Sequence, residues 1–197
     1  MPIPPFTADG ILPPYVGSMG PGDALEDMSP YIVTAIEIVT TLGTSDQRKA
    51  ILRGWLSHRA ALRKIGFDRG FQWLDGSFVE IKEPKDLDVV TFLYRPTVIV
   101  ENPSDWYAFL MTNIGLLGRD QVKSKYKLDF FGIDLNSSAE VLVSSTRYFL
   151  GLFSHRRGDD IWKGMLQVRL EDVADDYAAL SALGPDPDAK AVGGETQ

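Results

Sequence analysis

The sequence predicts an α/β domain built on a mixed sheet flanked by helices. Strand-like runs near residues 70–74, 87–93 and 128–135 alternate with longer segments whose apolar residues recur at helical spacing. Residues 1–30 add a Pro/Gly-rich stretch without periodicity, which predicts an extended N-terminal arm. The expected division is an arm over 1–30, one folded domain over 31–183, and a flexible tail over 184–197.

In the arm, Pro4-Pro5, Pro13-Pro14 and Gly20-Pro21-Gly22 forbid a regular helix. Phe6, Ile11, Leu12 and Tyr15 are suited to pin it onto the domain, whereas a disordered tail would be cut rapidly by proteases. Ser29-Pro30 reads as an N-cap with proline at the first helical position, opening a short helix to about Thr40 that Gly43 ends. Thr44 or Ser45 caps a longer helix, with Asp46 in its first turn and an apolar stripe of Ile51, Leu52, Trp55, Leu56, Leu62 and Ile65. Its arginines and lysines read as a solvated face, and His58 among them as structural.

Strands over Gly70–Leu74 and Leu87–Leu93 flank a Gly-Ser turn, and Thr97–Val100 reads as a third short strand. Ser104 caps a helix carrying Trp106, Phe109, Leu110 and Leu117. Lys123, Lys125 and Lys127 lead into a strand over Leu128–Leu135. Ser137 or Ser138 starts the next helix, toward Leu152. His155–Asp160 reads as a turn, Ile161–Leu170 as a strand and Glu171–Leu183 as the last helix.

Bulk properties narrow the chemistry. The 197 residues include no cysteine and two histidines, His58 and His155, so disulfides and thiolate sites are excluded and a histidine-rich zinc site is disfavoured. The formal charge of −7 argues against strong non-specific nucleic-acid binding. No signal peptide or membrane span is visible, which makes cytoplasmic localisation without membrane partners the expectation.

The densest chemical signal lies in Gly70–Leu93, GFQWLDGSFVEIKEPKDLDVVTFL. Asp86 and Asp88 open a strong strand one residue apart, so they share a face. Like charges there need a proton or a cation, and Mg²⁺ is the hard, oxygen-seeking choice. Asp186-Pro187-Asp188 repeats the pattern but lies in the tail. A third carboxylate is expected from Lys127–Leu135. Asp129 and Asp134 are five apart and face opposite sides of a strand, and Asp129 sits at the strand start as Asp86 does. Asp134 then reads as structural. Gly76-Ser77 offers a tight turn whose backbone N–H groups and hydroxyl suit phosphate, although a simple turn explains it equally when taken alone.

Taken together, these residues resemble the nucleotidyltransferase superfamily that includes DNA polymerase beta and the minimal nucleotidyltransferases. The shared mark is Gly-Ser, then Asp-x-Asp on the next strand, then a further Asp. The resemblance implies a nucleotidyltransferase-like mixed sheet, with Gly76 and Ser77 at the triphosphate and Asp86, Asp88 and Asp129 as metal-binding and catalytic residues. It also implies one or two Mg²⁺ ions and an NTP substrate, the acceptor being a hydroxyl or phosphate on a protein, an RNA or a small molecule. Over nearly its full length the chain also resembles an uncharacterised bacterial family with such a domain. The marks of that family are Ile3-Pro4-Pro5-Phe6, Gly10-Ile11-Leu12-Pro13-Pro14, Phe71–Asp88, Leu152-Phe153-Ser154-His155-Arg156-Arg157 and Trp162-Lys163-Gly164-Met165-Leu166.

The chain departs from the superfamily pattern after Gly-Ser. Phe78-Val79-Glu80 stands where a basic residue and a second glycine are usual, and Lys85 precedes the first Asp. Phosphate-binding charge is therefore expected from Arg156, Arg157 and Lys163, with His155, Lys82, Lys85 and Lys123 as further candidates. Trp73 and Trp162 read as core residues rather than base-stacking ones. The same departure motivates a second expectation, an inactive nucleotidyltransferase-like module that binds a partner protein in a toxin–antitoxin or phage-defence pair.

Overall fold

The computed structural model describes residues 3–17 and 27–185. Gly20-Pro21-Gly22 and Asp186-Pro187-Asp188 lie outside them, as does most of the tail. The expected mixed α/β architecture is present: one five-stranded sheet with helices on both faces. Its strands are β1 (Tyr31–Ile32), β2 (Gly70–Asp75), β3 (Leu87–Leu93), β4 (Leu128–Asp134) and β5 (Leu166–Arg169), in the order β1-β5-β2-β3-β4. β2 runs antiparallel to both β3 and β5, while β3–β4 and β1–β5 are parallel.

Strand alternation sorts side chains into two layers. Leu74, Leu87, Val89, Leu128 and Phe130 face a core closed by α1 (Ala35–Leu42) and α2 (Asp46–Lys64), which contributes Ile51, Leu52, Trp55 and Leu56. Gln72 lies on this face too. It accepts from Trp55 Nε1 at 2.8 Å and donates to Thr91 Oγ1 at 3.0 Å, so a fully buried amide is satisfied. The opposite face carries Phe71, Trp73, Val90, Phe92, Phe131 and Ile133 under α7 (Ala139–Phe153).

Helix ends follow their caps. Ser45 accepts from Arg48 N and Ser138 from Val141 N, as the sequence predicts for both helices. The first helix differs from expectation. It does not open at Ser29-Pro30, because Tyr31 N and Val33 N bond Met165 O and Gln167 O and make β1 instead. It starts after Thr34, which forms a reciprocal capping box with Glu37. Thr97–Val100 is likewise not a strand. It lies in α3 (Thr97–Glu101), because Ile99 N and Val100 N turn back onto Pro96 O.

The segment after Ser104 forms two short helices, α4 (Trp106–Thr112) and α5 (Ile114–Leu117), without a Ser104 cap. Lys123 and Lys125 lie in α6 (Arg119–Tyr126), which ends at Lys127 in the left-handed conformation, φ 60°. Strand pairing beyond Ile161 is confined to β5, apart from one bridge between His155 and Trp162. The last helix is α8 (Val173–Ala182), whose Asp175 carboxylate accepts the first N–H of α1.

The arm braces the sheet edge. Ile11 and Leu12 are buried, and Ile11 bridges Glu80. Leu12 N reaches Val79 O at 3.3 Å, while Gly164 N reaches Leu12 O at 2.8 Å. One extended segment thereby ties the Gly-Ser turn to the chain that enters β5. Among the described residues no helix is long and apolar enough to cross a membrane.

Candidate active site

Register builds the site. Asp75 ends β2 opposite Asp88, and Asp88 stands opposite Asp129 on β4. The three carboxylates form one row, continuing a face whose next rows are Trp73–Val90–Phe131 and Phe71–Phe92–Ile133. An aromatic layer thus ends in an acidic edge. Beyond that edge lies a cavity of about 280 Å³, lined by Asp75, Gly76, Ser77, Asp86, Asp88 and Asp129, with cations from Lys82, Lys123, Arg157 and Lys163. The predicted residues Gly76, Ser77, Asp86, Asp88, Asp129, Arg157 and Lys163 therefore meet in one place. Asp134 is at the far end of β4, where Arg95 holds it at 2.6 Å.

The turn after β2 is a single 3₁₀ turn, Gly76–Val79. Gly76 has φ +73°, and a Cβ there would stand 1.7 Å from Asp88 Oδ2, so only glycine lets the turn and the carboxylate approach. Phe78 and Val79, which depart from the superfamily pattern, are wholly buried and anchor the turn at roughly 1.5–3 kcal/mol each. Arg48 of α2 holds the same turn from inside. Its guanidinium donates to Phe78 O (2.8 Å), Glu80 O (2.6 Å) and Lys82 O (2.9 Å).

Glu80 also lines the cavity, but its charge is matched by two lysines. It is buried between Lys163 Nζ at 3.2 Å and Lys82 Nζ at 2.8 Å, and these partners outweigh burial to hold its carboxyl below the usual range. Lys163 is itself 3% exposed and also donates to Gly76 O at 3.1 Å, so it braces the turn from beneath. Its ammonium forms an ion pair with Asp75 Oδ1 at 3.2 Å, an oxygen that takes no hydrogen bond among the described residues. Burial pushes the Asp75 carboxyl up to about 7, against the pull of Lys163.

The other carboxylates divide by partner. Asp129 is gripped by Arg119 of α6 through two parallel bonds (2.5 and 2.8 Å), which hold it below its ordinary value. Asp86 meets Lys123 Nζ at 2.7 Å. Asp88 has no ion pair or hydrogen bond among the described residues, and burial, then Asp86 and Asp129, raise its carboxyl.

The cationic candidates also separate. Arg157 is exposed at the cavity and unpaired among the described residues. Arg156, expected beside it, is turned away. It is bound to Asp159 and donates to Asp9 O at 2.7 Å, and it does not line the cavity. Successive residues in this tight turn point in different directions. Trp73 is a core residue bonded to Gln167 at 2.9 Å, whereas Trp162, expected in the core, is 45% exposed and packs on Tyr15, 5.7 Å between rings.

The donor set suits a hard divalent cation in kind. It offers carboxylate oxygens, those of Asp88 without a cation among the described residues, beside a turn that admits close approach. As the side chains stand, no group of three His, Cys, Asp or Glu is spaced to hold a metal among the described residues. Three features escape a reading of the sequence. Asp75 was signalled only by sharing the alternation of Phe71 and Trp73. Arg119 was signalled only by its four-residue spacing from Lys123. The inward aim of Lys163 had no local signal.

The fold and site define a mixed α/β domain with a charged cavity at one sheet edge. A family model described as a family of unknown function (DUF6932) matches residues 4–169, and the chain belongs to that family. No curated protein and no solved structure matches it.

Proposed function

We propose that the protein is a Mg²⁺-dependent nucleotidyltransferase, moving a nucleotidyl group from an NTP to a hydroxyl or phosphate acceptor. The observation that carries this is the convergence of Gly76-Ser77 with Asp86, Asp88 and Asp129 on one cavity. It is supported by the resemblance of those residues to the superfamily motif. Asp86, Asp88 and Asp129 would hold the metal, which when bound neutralises charge on the transferred group. Gly76 and Ser77 line the cavity, where the turn's backbone and the Ser77 hydroxyl would serve as phosphate donors. Arg157 supplies a free guanidinium. One of the three carboxylates would accept the acceptor's proton, Asp129 being the one that the resemblance makes part of the base machinery.

Calorimetric titration with ATP, GTP, CTP and UTP in Mg²⁺ tests this. One nucleotide should bind saturably, and Asp88→Asn should lose that binding while melting as a folded protein. Folded wild-type protein with no saturable signal for any nucleotide would rule the proposal out.

One observation favours a second reading, an inactive module that binds a partner protein. Arg119, Lys123 and Lys163 already balance much of the acidic edge without a metal. Co-purification of a partner that Asp88→Asn retains, with no nucleotide bound, supports this alternative.

A further inference from the structure

Arg119 and Lys123 stand four apart on α6 and share a face, yet they hold the acidic edge differently. Arg119 is fixed. It forks onto both oxygens of Asp129 and lies 4.6 Å from the centre of the Phe131 ring. Lys123 is a single point charge. Its ammonium is 2.7 Å from Asp86 Oδ2 and 3.8 Å from Asp129 Oδ2, so it bridges two carboxylates brought from separate strand starts. Its side chain is 48% exposed, about as open as that of Arg119 at 56%, so what sets it apart is a lone ammonium in place of a two-pronged fork; Val122 and Tyr126 bury the helix, and the ammonium can swing into solvent without disturbing packing. Half-exposed ion pairs of this sort are weak and exchangeable.

The same cavity holds one carboxylate without a cation. Asp88 is unpaired among the described residues, whereas Asp75 beside it is ion-paired with Lys163 at 3.2 Å.

We propose that Lys123 is a resident, exchangeable cation whose ammonium occupies the place between Asp86 and Asp129 that a divalent ion would take. This rests on the metal-dependent function proposed above. Loading replaces one positive charge by two and frees Lys123 at the cavity mouth, where a point charge can meet a phosphate oxygen. No covalent bond changes: the lysine–carboxylate ion pairs are exchanged for carboxylate coordination of the ion. Lysine and metal compete for the same oxygens, so Lys123 sets the threshold for loading.

Mn²⁺ titration without nucleotide, followed by the electron paramagnetic resonance of the free ion, tests this on the full chain. Lys123→Gln should bind Mn²⁺ about ten-fold tighter than wild type, a shift of about 1.4 kcal/mol. Lys123→Arg should not tighten it. Lys125→Gln removes the same charge from the same helix but leaves both carboxylates untouched, and should match wild type. Thermal melts confirm that each variant is folded. Wild-type binding with no gain in Lys123→Gln, or an equal gain in Lys125→Gln, overturns the role of Lys123 alone. Absence of Mn²⁺ binding in both wild type and Lys123→Gln overturns the metal-dependent function and this inference together.

Discussion

Replacing Gly76 by alanine separates the fold from the site. Gly76 has φ +73°, a conformation that costs an L-residue about 1–2 kcal/mol. The added Cβ would lie 1.7 Å from Asp88 Oδ2 and 2.7 Å from Asp88 Cγ. Both atoms belong to the end of a side chain and are relieved when Asp88 turns away, while Asp88 Cβ at 3.2 Å needs the turn to give by only a few tenths of an ångström. Stability should therefore fall by little more than the conformational cost, a drop in Tm of roughly 2–8 °C. Gly184 is the matched control, with φ +71° and nothing within 4 Å of an added Cβ among the described residues. Urea unfolding should place Gly76→Ala and Gly184→Ala within about 1 kcal/mol of each other. Mn²⁺ titration should then show wild-type binding for Gly184→Ala and binding weakened at least about ten-fold for Gly76→Ala, since Asp88 has left its place. Unchanged Mn²⁺ binding by Gly76→Ala would refute the claim that the turn and Asp88 form one site. A loss of stability well beyond the control would refute the claim that Asp88 can move independently.

Two further outcomes concern the core. Burial lowers the His58 imidazole from 6.5 to about 4. The unfolded chain therefore binds the proton first, and stability that is full above 6.5 falls as the pH drops toward 4. The loss is about 3 kcal/mol at pH 4. His58→Phe should lack that part of the slope in urea unfolding between pH 7 and 4, and parallel curves would contradict it. Arg59 is wholly buried against Asp176 at 2.9 Å, and Arg63 binds the same carboxylate at 2.5 Å. Asp176→Ala should cost about 3–5 kcal/mol by urea unfolding because it strands a buried guanidinium. A loss below about 1 kcal/mol would mean that water reaches Arg59.

Much of this protein follows from neighbours along the chain. Alternation places β2, β3 and β4, the Ser45 and Ser138 hydroxyls set two helix starts, and Gly76-Ser77 with Asp86-x-Asp88 puts a turn and two carboxylates side by side. These features depend on backbone preferences and side-chain direction over a few residues, which the sequence states directly. The partners of the charged groups do not. Asp75 meets Asp88 through antiparallel register, Asp129 meets Arg119 through the docking of α6, and Lys163 turns inward because the arm and the Gly-Ser turn close over it. Thr97–Val100, rich in strand formers, is helical, its Ile99 and Val100 amides turned back onto Pro96 O. Local propensity is a short-range energy, whereas the pairing of charges is decided by which distant segments pack together.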